Sequence, residues 1–201
     1  MIFLAACSSS KAAAPTSAAT ASTSTSTSST TTTNEPASTT TDTATTTTQA
    51  ATTTTTETVP VPKAAPQPYA AEPRVLLGSI EIPKLGVKKD LLEGVSLTVL
   101  NQGPGHWPGT AMPGHTGNVV VAGHRTSHDR PFRYIDQLVP GDQVVFTTKD
   151  GRFVYKVTGS EVVDPTAIRI IDQTPAHTAT LFACTPPGST RYRLVIHLTE
   201  A

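Results

Sequence analysis

Hydrophobic and polar positions divide this chain into two unlike regions. Across residues 8–73 large apolar side chains are nearly absent, and Thr, Ser, Ala and Pro fill the sequence. From residue 74 onward short apolar runs recur, punctuated by Gly and Pro. Residues 75–83 read as a strand closed by Pro83, which has no N–H to offer a ladder. Residues 91–100 read as a short strand and one helical turn. The stretch 103–114 is so dense in Gly and Pro that no regular structure is expected there. Residues 118–122 form a continuous apolar run, the pattern of a buried strand. Residues 133–138 predict a turn of helix ahead of Pro140-Gly141. Residues 143–148 and 152–163 predict two strands joined at Lys149-Asp150-Gly151, a hairpin signal. Residues 179–184 and 191–198 make a final strand pair. Short strands, long punctuating loops and little helix predict an all-β barrel or sandwich. No internal repeat is present.

Composition sharpens the division. A segment as poor in apolar residues as 8–73 cannot bury enough surface to offset its ordering entropy, so it is expected to be a disordered linker. The roughly 66 residues would span about 45 Å as a random coil and about 220 Å fully extended. Its Thr/Ser/Pro content resembles the glycosylated stalks of surface proteins and suits an inert spacer equally well. Residues 74–201 are enough for one domain with a single core. Fifteen basic and fifteen acidic residues give a formal net charge of zero. No basic stripe is present, which argues against a nucleic-acid partner. No run of 18 apolar residues occurs in the sequence. Residues 1–7 end in Leu4-Ala5-Ala6-Cys7, the end of a lipoprotein-type signal without its basic and apolar beginning. Lipidation of Cys7 is therefore expected to tether the chain to an extracytoplasmic membrane surface, a chance cluster of small residues being the plainer alternative.

Three kinds of reactive side chain stand at the ends or edges of apolar runs. His124 closes Val119-Val120-Val121-Ala122-Gly123. Cys184 closes Thr180-Leu181-Phe182-Ala183 and precedes a Pro-Pro-Gly loop. Arg191 and Arg193 flank Tyr192, and on a strand they would share a face. A thiol, an imidazole and a guanidinium supply the nucleophile, proton shuttle and anion stabiliser of cysteine-based acyl transfer. Each has a plainer reading. A free cysteine is often a small buried hydrophobe, a lone histidine is more often structural, and either arginine suits a solvated surface. The position of Cys184 at a strand end, near arginines that favour thiolate, weighs against the first of these. His106, His115, His128, His177 and His197 carry the structural or exposed reading by default. Neither a Cys pair nor a helical His-x-x-x-His motif is present, so a metal site is not expected. Phosphate-loop, dinucleotide and Gly-x-Ser-x-Gly patterns are absent as well.

With these residues in place, residues 77–198 resemble the sortases, specifically the class E sortases of Gram-positive actinobacteria. The similarity rests on Gly103-Pro-Gly-His-Trp-Pro-Gly-Thr-Ala-Met-Pro-Gly114, Gly117-Asn-Val-Val-Val-Ala-Gly-His-Arg-Thr126, Pro131-Phe-Arg-Tyr-Ile-Asp-Gln-Leu138 with Pro140-Gly-Asp142, and Thr180-Leu-Phe-Ala-Cys184, in that order. The resemblance implies an eight-stranded sortase-type β-barrel with short helices behind the disordered tract. It implies Cys184 as nucleophile, His124 as general acid/base and Arg193, rather than Arg191, as the substrate-binding and oxyanion-stabilising residue. Implied too is transpeptidation: cleavage of a Leu-Pro-x-Thr-Gly or Leu-Ala-x-Thr-Gly sorting signal between Thr and Gly, then transfer to an amine. The implied partners are secreted proteins bearing C-terminal sorting signals and peptidoglycan or its lipid-linked precursor. No cofactor or metal is implied. Ala183 departs from the family, which usually has Thr there, and removes a hydroxyl next to the nucleophile. Alternatives are a non-catalytic surface lipoprotein using such a barrel for binding, or another cysteine peptidase or transpeptidase.

Overall fold

The computed structural model describes residues 57–201. The Cys7 expectation and linker residues 8–56 lie outside the described residues. Eight strands form a closed barrel: β1 (Leu76–Ile82), β2 (Val87–Glu93), β3 (Gly105–His106), β4 (Gly117–Ala122), β5 (Gln143–Thr148), β6 (Gly151–Val163), β7 (His177–Thr185) and β8 (Tyr192–Glu200). Around the barrel they follow the order β1-β2-β3-β4-β7-β8-β6-β5. Two pairs, β2–β3 and β4–β7, are parallel, and the others are antiparallel. One short helix, α1 (Leu97–Leu100), follows β2 and is capped by Ser96, whose Oγ accepts from Val99 N.

Side-chain alternation along the strands builds two cores. Val119 and Val121 of β4, Ala179, Leu181 and Ala183 of β7, and Leu194, Ile196 and Leu198 of β8 fill the barrel interior. Val120 of β4 and Val195 of β8 face outward and join Trp107, Val163, Ile170 and Ile171 in a smaller cluster, with Phe182 of β7 packed against it. Every residue of β4 is buried, because this strand is covered on both faces. That explains why its sequence reads as an unbroken apolar run rather than an alternation.

Three expectations need correction. The Gly/Pro-rich stretch does hold regular structure: β3 is only two residues long, yet it bridges β2 to β4 and closes the barrel. Gly105 makes this possible, since a Cβ there would run into the Gly94 carbonyl oxygen. Arg191 lies outside β8, which begins at Tyr192, so the two arginines do not share a strand face. Its guanidinium instead stacks over the Tyr192 ring at 5.2 Å. Lastly, residues 57–73, placed in the disordered linker by their composition, run as an extended strap over the barrel. Lys63 N donates to Pro108 O at 2.9 Å, and Leu97 N donates to Pro68 O at 2.6 Å. The prolines that made this segment look like linker pre-set an extended backbone, so it docks with little loss of entropy.

Candidate active site

Strand β7 places the nucleophile candidate. It lies between β4 and β8, parallel to β4 in the register Ala122↔Phe182 and antiparallel to β8 with Cys184 opposite Arg193. Gly123 N donates to Phe182 O at 3.2 Å and carries the β4–β7 alignment past the end of β4. His124 thus comes level with Cys184. By the same alternation, Cys184 is on the outward face with Phe182, and Arg193 on the outward face with Val195. All three groups border one cleft of about 390 Å³. The other walls are apolar: Trp107 and Phe182, whose ring centroids are 6.2 Å apart, with Val95, Leu97 and Leu100 near α1. Gly123 is required there, because a Cβ would strike the Phe132 ring.

Hydrogen bonds orient the polar groups. His124 Nε2 donates to Asn101 Oδ1 at 2.9 Å, and Nδ1 has no hydrogen-bond partner among the described residues. The His128 ring stacks on His124 with centroids 5.3 Å apart and planes inclined by 19°. Burial holds the His124 imidazole below its ordinary value, and the neighbouring His128 charge pushes it the same way. Arg193 Nη1 donates to Thr190 O at 2.8 Å and Tyr192 O at 3.1 Å, which fixes the guanidinium at the mouth of the β7–β8 loop. Cys184 is half-buried and unpaired with any second cysteine among the described residues. Ala183, the position that departs from the family's Thr, borders the cleft, but its methyl group belongs to the barrel core.

A brace absent from the sequence reading ties together the strand ends that carry His124 and Cys184. Arg125 is 4% exposed. Its guanidinium donates to Asp136 Oδ1 at 2.7 Å and to Thr185 Oγ1 at 3.1 Å, spanning from the residue after His124 to the residue after Cys184. Asn101 and Arg125 carried no distinguishing sequence signal, since each acquires its role through a contact distant in the chain. His128 is only four positions from His124, but the loop between them has no regular period that would announce the stacking. The remaining histidines are accounted for by carboxylates. His106 Nδ1 is 2.8 Å from Glu93, His115 Nδ1 2.6 Å from Glu57, His177 Nδ1 2.6 Å from Glu200 and His197 Nε2 3.0 Å from Glu161. His106 is wholly inside, with Nε2 also donating to Ala111 O at 2.9 Å, so it ties the loop before β4 rather than lining the cleft. No group of three His, Cys, Asp or Glu residues suited to a metal occurs among the described residues.

A closed eight-stranded barrel with a thiol, an imidazole and a guanidinium on one outward face defines a cysteine-centred β-barrel of the sortase type. The Sortase domain model matches residues 80–201, and the chain belongs to that family. It is 37% identical over 145 residues to sortase SrtE1 of Streptomyces coelicolor, a match covering 64% of this chain and 41% of that protein. It is 33% identical over 94 residues to sortase D of Bacillus subtilis, covering 47% of this chain and 46% of that one. The chain thus spans about half the length of the curated relatives it matches. The crystal structure of S. coelicolor sortase E1 with a tripeptide in its active site aligns with a TM-score of 0.59 at 32% identity, over 63% of this chain and 88% of that one. A Clostridium perfringens sortase D5 transpeptidase aligns with a TM-score of 0.58 at 34% identity, over 63% of this chain and 79% of that one.

Proposed function

We propose that this chain is a cysteine transpeptidase that cleaves a C-terminal sorting signal between Thr and Gly and joins the acyl group to a cell-wall amine. The observation that carries the reading is the shared cleft: β7 holds Cys184 opposite Arg193 and level with His124. In the first step the Cys184 thiolate attacks the Thr carbonyl. Negative charge develops on the carbonyl oxygen, and Arg193 stabilises it. The C–N bond then breaks, His124 gives its proton to the departing Gly amine, and a thioester remains on Cys184. In the second step an incoming amine attacks the thioester and His124 accepts its proton. The thiolate leaves, and a new amide bond is complete. Asn101 acts as a positioning residue by holding His124 Nε2 and so presenting Nδ1 to the reaction.

The apolar cleft suits the aliphatic and prolyl residues of a Leu-Pro/Ala-x-Thr-Gly motif, and the cell-wall amine fits an extracytoplasmic enzyme held near a membrane. No helix among the described residues is long and apolar enough to cross a membrane. The Cys7 lipid is proposed as the tether.

The test is turnover of a fluorogenic sorting peptide. Cys184→Ala should give no product while retaining the far-ultraviolet circular dichroism of the parent; product from that variant would defeat the assignment. Arg193→Ala should lower kcat/KM by about 100-fold or more, on the scale of losing an oxyanion donor. Arg191→Ala, outside the cleft, should change it less than about two-fold, the scale of a surface substitution.

A further inference from the structure

The strap, residues 57–73, is bound where the substrate must pass. Trp107 Nε1 donates to Lys63 O at 2.8 Å, so the indole that walls the cleft gives its hydrogen bond to the strap. The Lys63 amide and the Pro68 carbonyl are tied to Pro108 and Leu97 on either side of that indole. Between those two ties Ala65 and Pro66, and at the second tie Pro68, border the same cleft as Cys184, His124 and Arg193. The barrel is shaped to receive the strap. A Cβ on Gly109 would meet Val61 O and Lys63 N, and a Cβ on Gly117 would meet Pro60 Cδ. Strap and barrel also fall within one compact unit.

From this geometry we infer that residues 63–68 are a fixed wall of the peptide-binding cleft and select the apolar side chain of the substrate upstream of the scissile bond. The inference rests on the transpeptidase reading above. Two features distinguish a wall from a plug. The cleft keeps its volume of about 390 Å³ beside Cys184 with the strap in place. Among the described residues, the hydrogen bonds of His124 and Arg193 go to Asn101, Thr190 and Tyr192, and none goes to the strap. Pro66 and Pro68 also suit a wall, since their fixed φ keeps the backbone from following a ligand. An apolar side chain entering the cleft would be desolvated against these prolines on one side and Trp107 and Phe182 on the other. A β-branched or γ-branched residue fills that space better than alanine.

The strap can be loosened without touching the barrel. Lys63→Pro deletes the amide that donates to Pro108, and Pro66→Gly/Pro68→Gly removes both stiff contacts. Trp107 is the only tryptophan, so its emission reports release of the strap independently of turnover. Both variants should shift that emission to the red. Each should lower the preference for a peptide with Leu over one with Ala at the upstream apolar position by about ten-fold, within the range for a small apolar group in a pocket. The loss should fall mainly on KM, and alkylation of Cys184 by iodoacetamide should change less than two-fold. Faster alkylation together with a raised kcat/KM would make the strap a cover and overturn the inference. So would a red-shifted emission with the Leu/Ala preference intact. If the unsubstituted chain forms no thioacyl adduct with any sorting peptide, the proposed function itself fails and this inference falls with it; adduct formation with unchanged preference removes the strap's role alone.

Discussion

At the scale of single residues, His124 decides how the cleft can work. Its Nε2 is occupied by Asn101, so the proposed proton exchange with Cys184 and substrate falls to Nδ1. Asn101→Ala should therefore cut kcat by about ten-fold with little change in KM, the signature of a positioning role rather than a binding one. His128 acts on the same ring through charge. The C2–H resonance of His124 should titrate below the ordinary imidazole value, and His128→Ala should move the midpoint upward by removing a like charge. An unchanged midpoint would remove His128 from the electrostatics of the site. Because the folded state holds His124 below its unfolded value, it takes up that proton less readily. This group's contribution to stability is present above the unfolded value of about 6.5 and is lost as pH falls through the depressed folded value. Cys184, His124 and Arg193 were legible as chemistry-bearing residues, because each ends or edges a run that must be a strand. Asn101 was not: it follows a four-residue helix, and nothing in its neighbours announces a histidine 23 positions away.

At the scale of elements, the two-residue strand β3 shows how tightly the barrel closes. It pairs Gly105 with Leu92 on one side and Ala122 on the other. Gly105→Ala would drive a methyl group into the Gly94 carbonyl and the Leu100 side chain. The expected cost is about 1–3 kcal/mol, read by chemical unfolding, with loss of the β2–β4 connection near the cleft. The stretch around Gly105 was read as irregular for a sound reason: Gly and Pro density usually excludes a ladder. Here glycine is required because two backbones approach too closely for any side chain. The opposite case is β7. Its sequence is ordinary, yet its place between β4 and β8 sets the spacing of all three catalytic candidates.

At the scale of the whole molecule, acid and truncation test different supports. Glu161 accepts two hydrogen bonds from Arg169, at 2.7 and 2.6 Å, and also pairs with His197; its carboxyl is pushed down to about 2. Lys84 and the Val139 amide likewise hold Asp142 below its ordinary value. Carboxylates depressed in the folded state lend stability above their unfolded values, and that stability is lost as pH falls through the folded ones. Thermal unfolding should therefore show Tm falling between about pH 4.5 and pH 2, with Glu161→Gln flattening that limb. The limb should be shallow, because these pairs lie at the surface. A chain starting at Arg74 should melt roughly 3–8 °C below one starting at Glu57, as it lacks the strap's hydrogen bonds to Trp107, Pro108 and Leu97. Equal melting temperatures would mean that the strap lends the barrel no stability.

Sequence alone determined the all-β class, seven of the eight strands and the types of reactive group, because side-chain alternation and turn residues are local properties written directly in the chain; the closed barrel and its eighth strand were implied only by the family resemblance. Tertiary structure decided the rest. Which arginine faces the thiol depends on the antiparallel β7–β8 register, and which histidine lies level with it depends on the parallel β4–β7 register. The fate of residues 57–73 was decided in the same way. Their composition offers too little apolar surface to order them alone, and only a groove already built by Trp107, Gly109 and α1 supplies the partners that hold them.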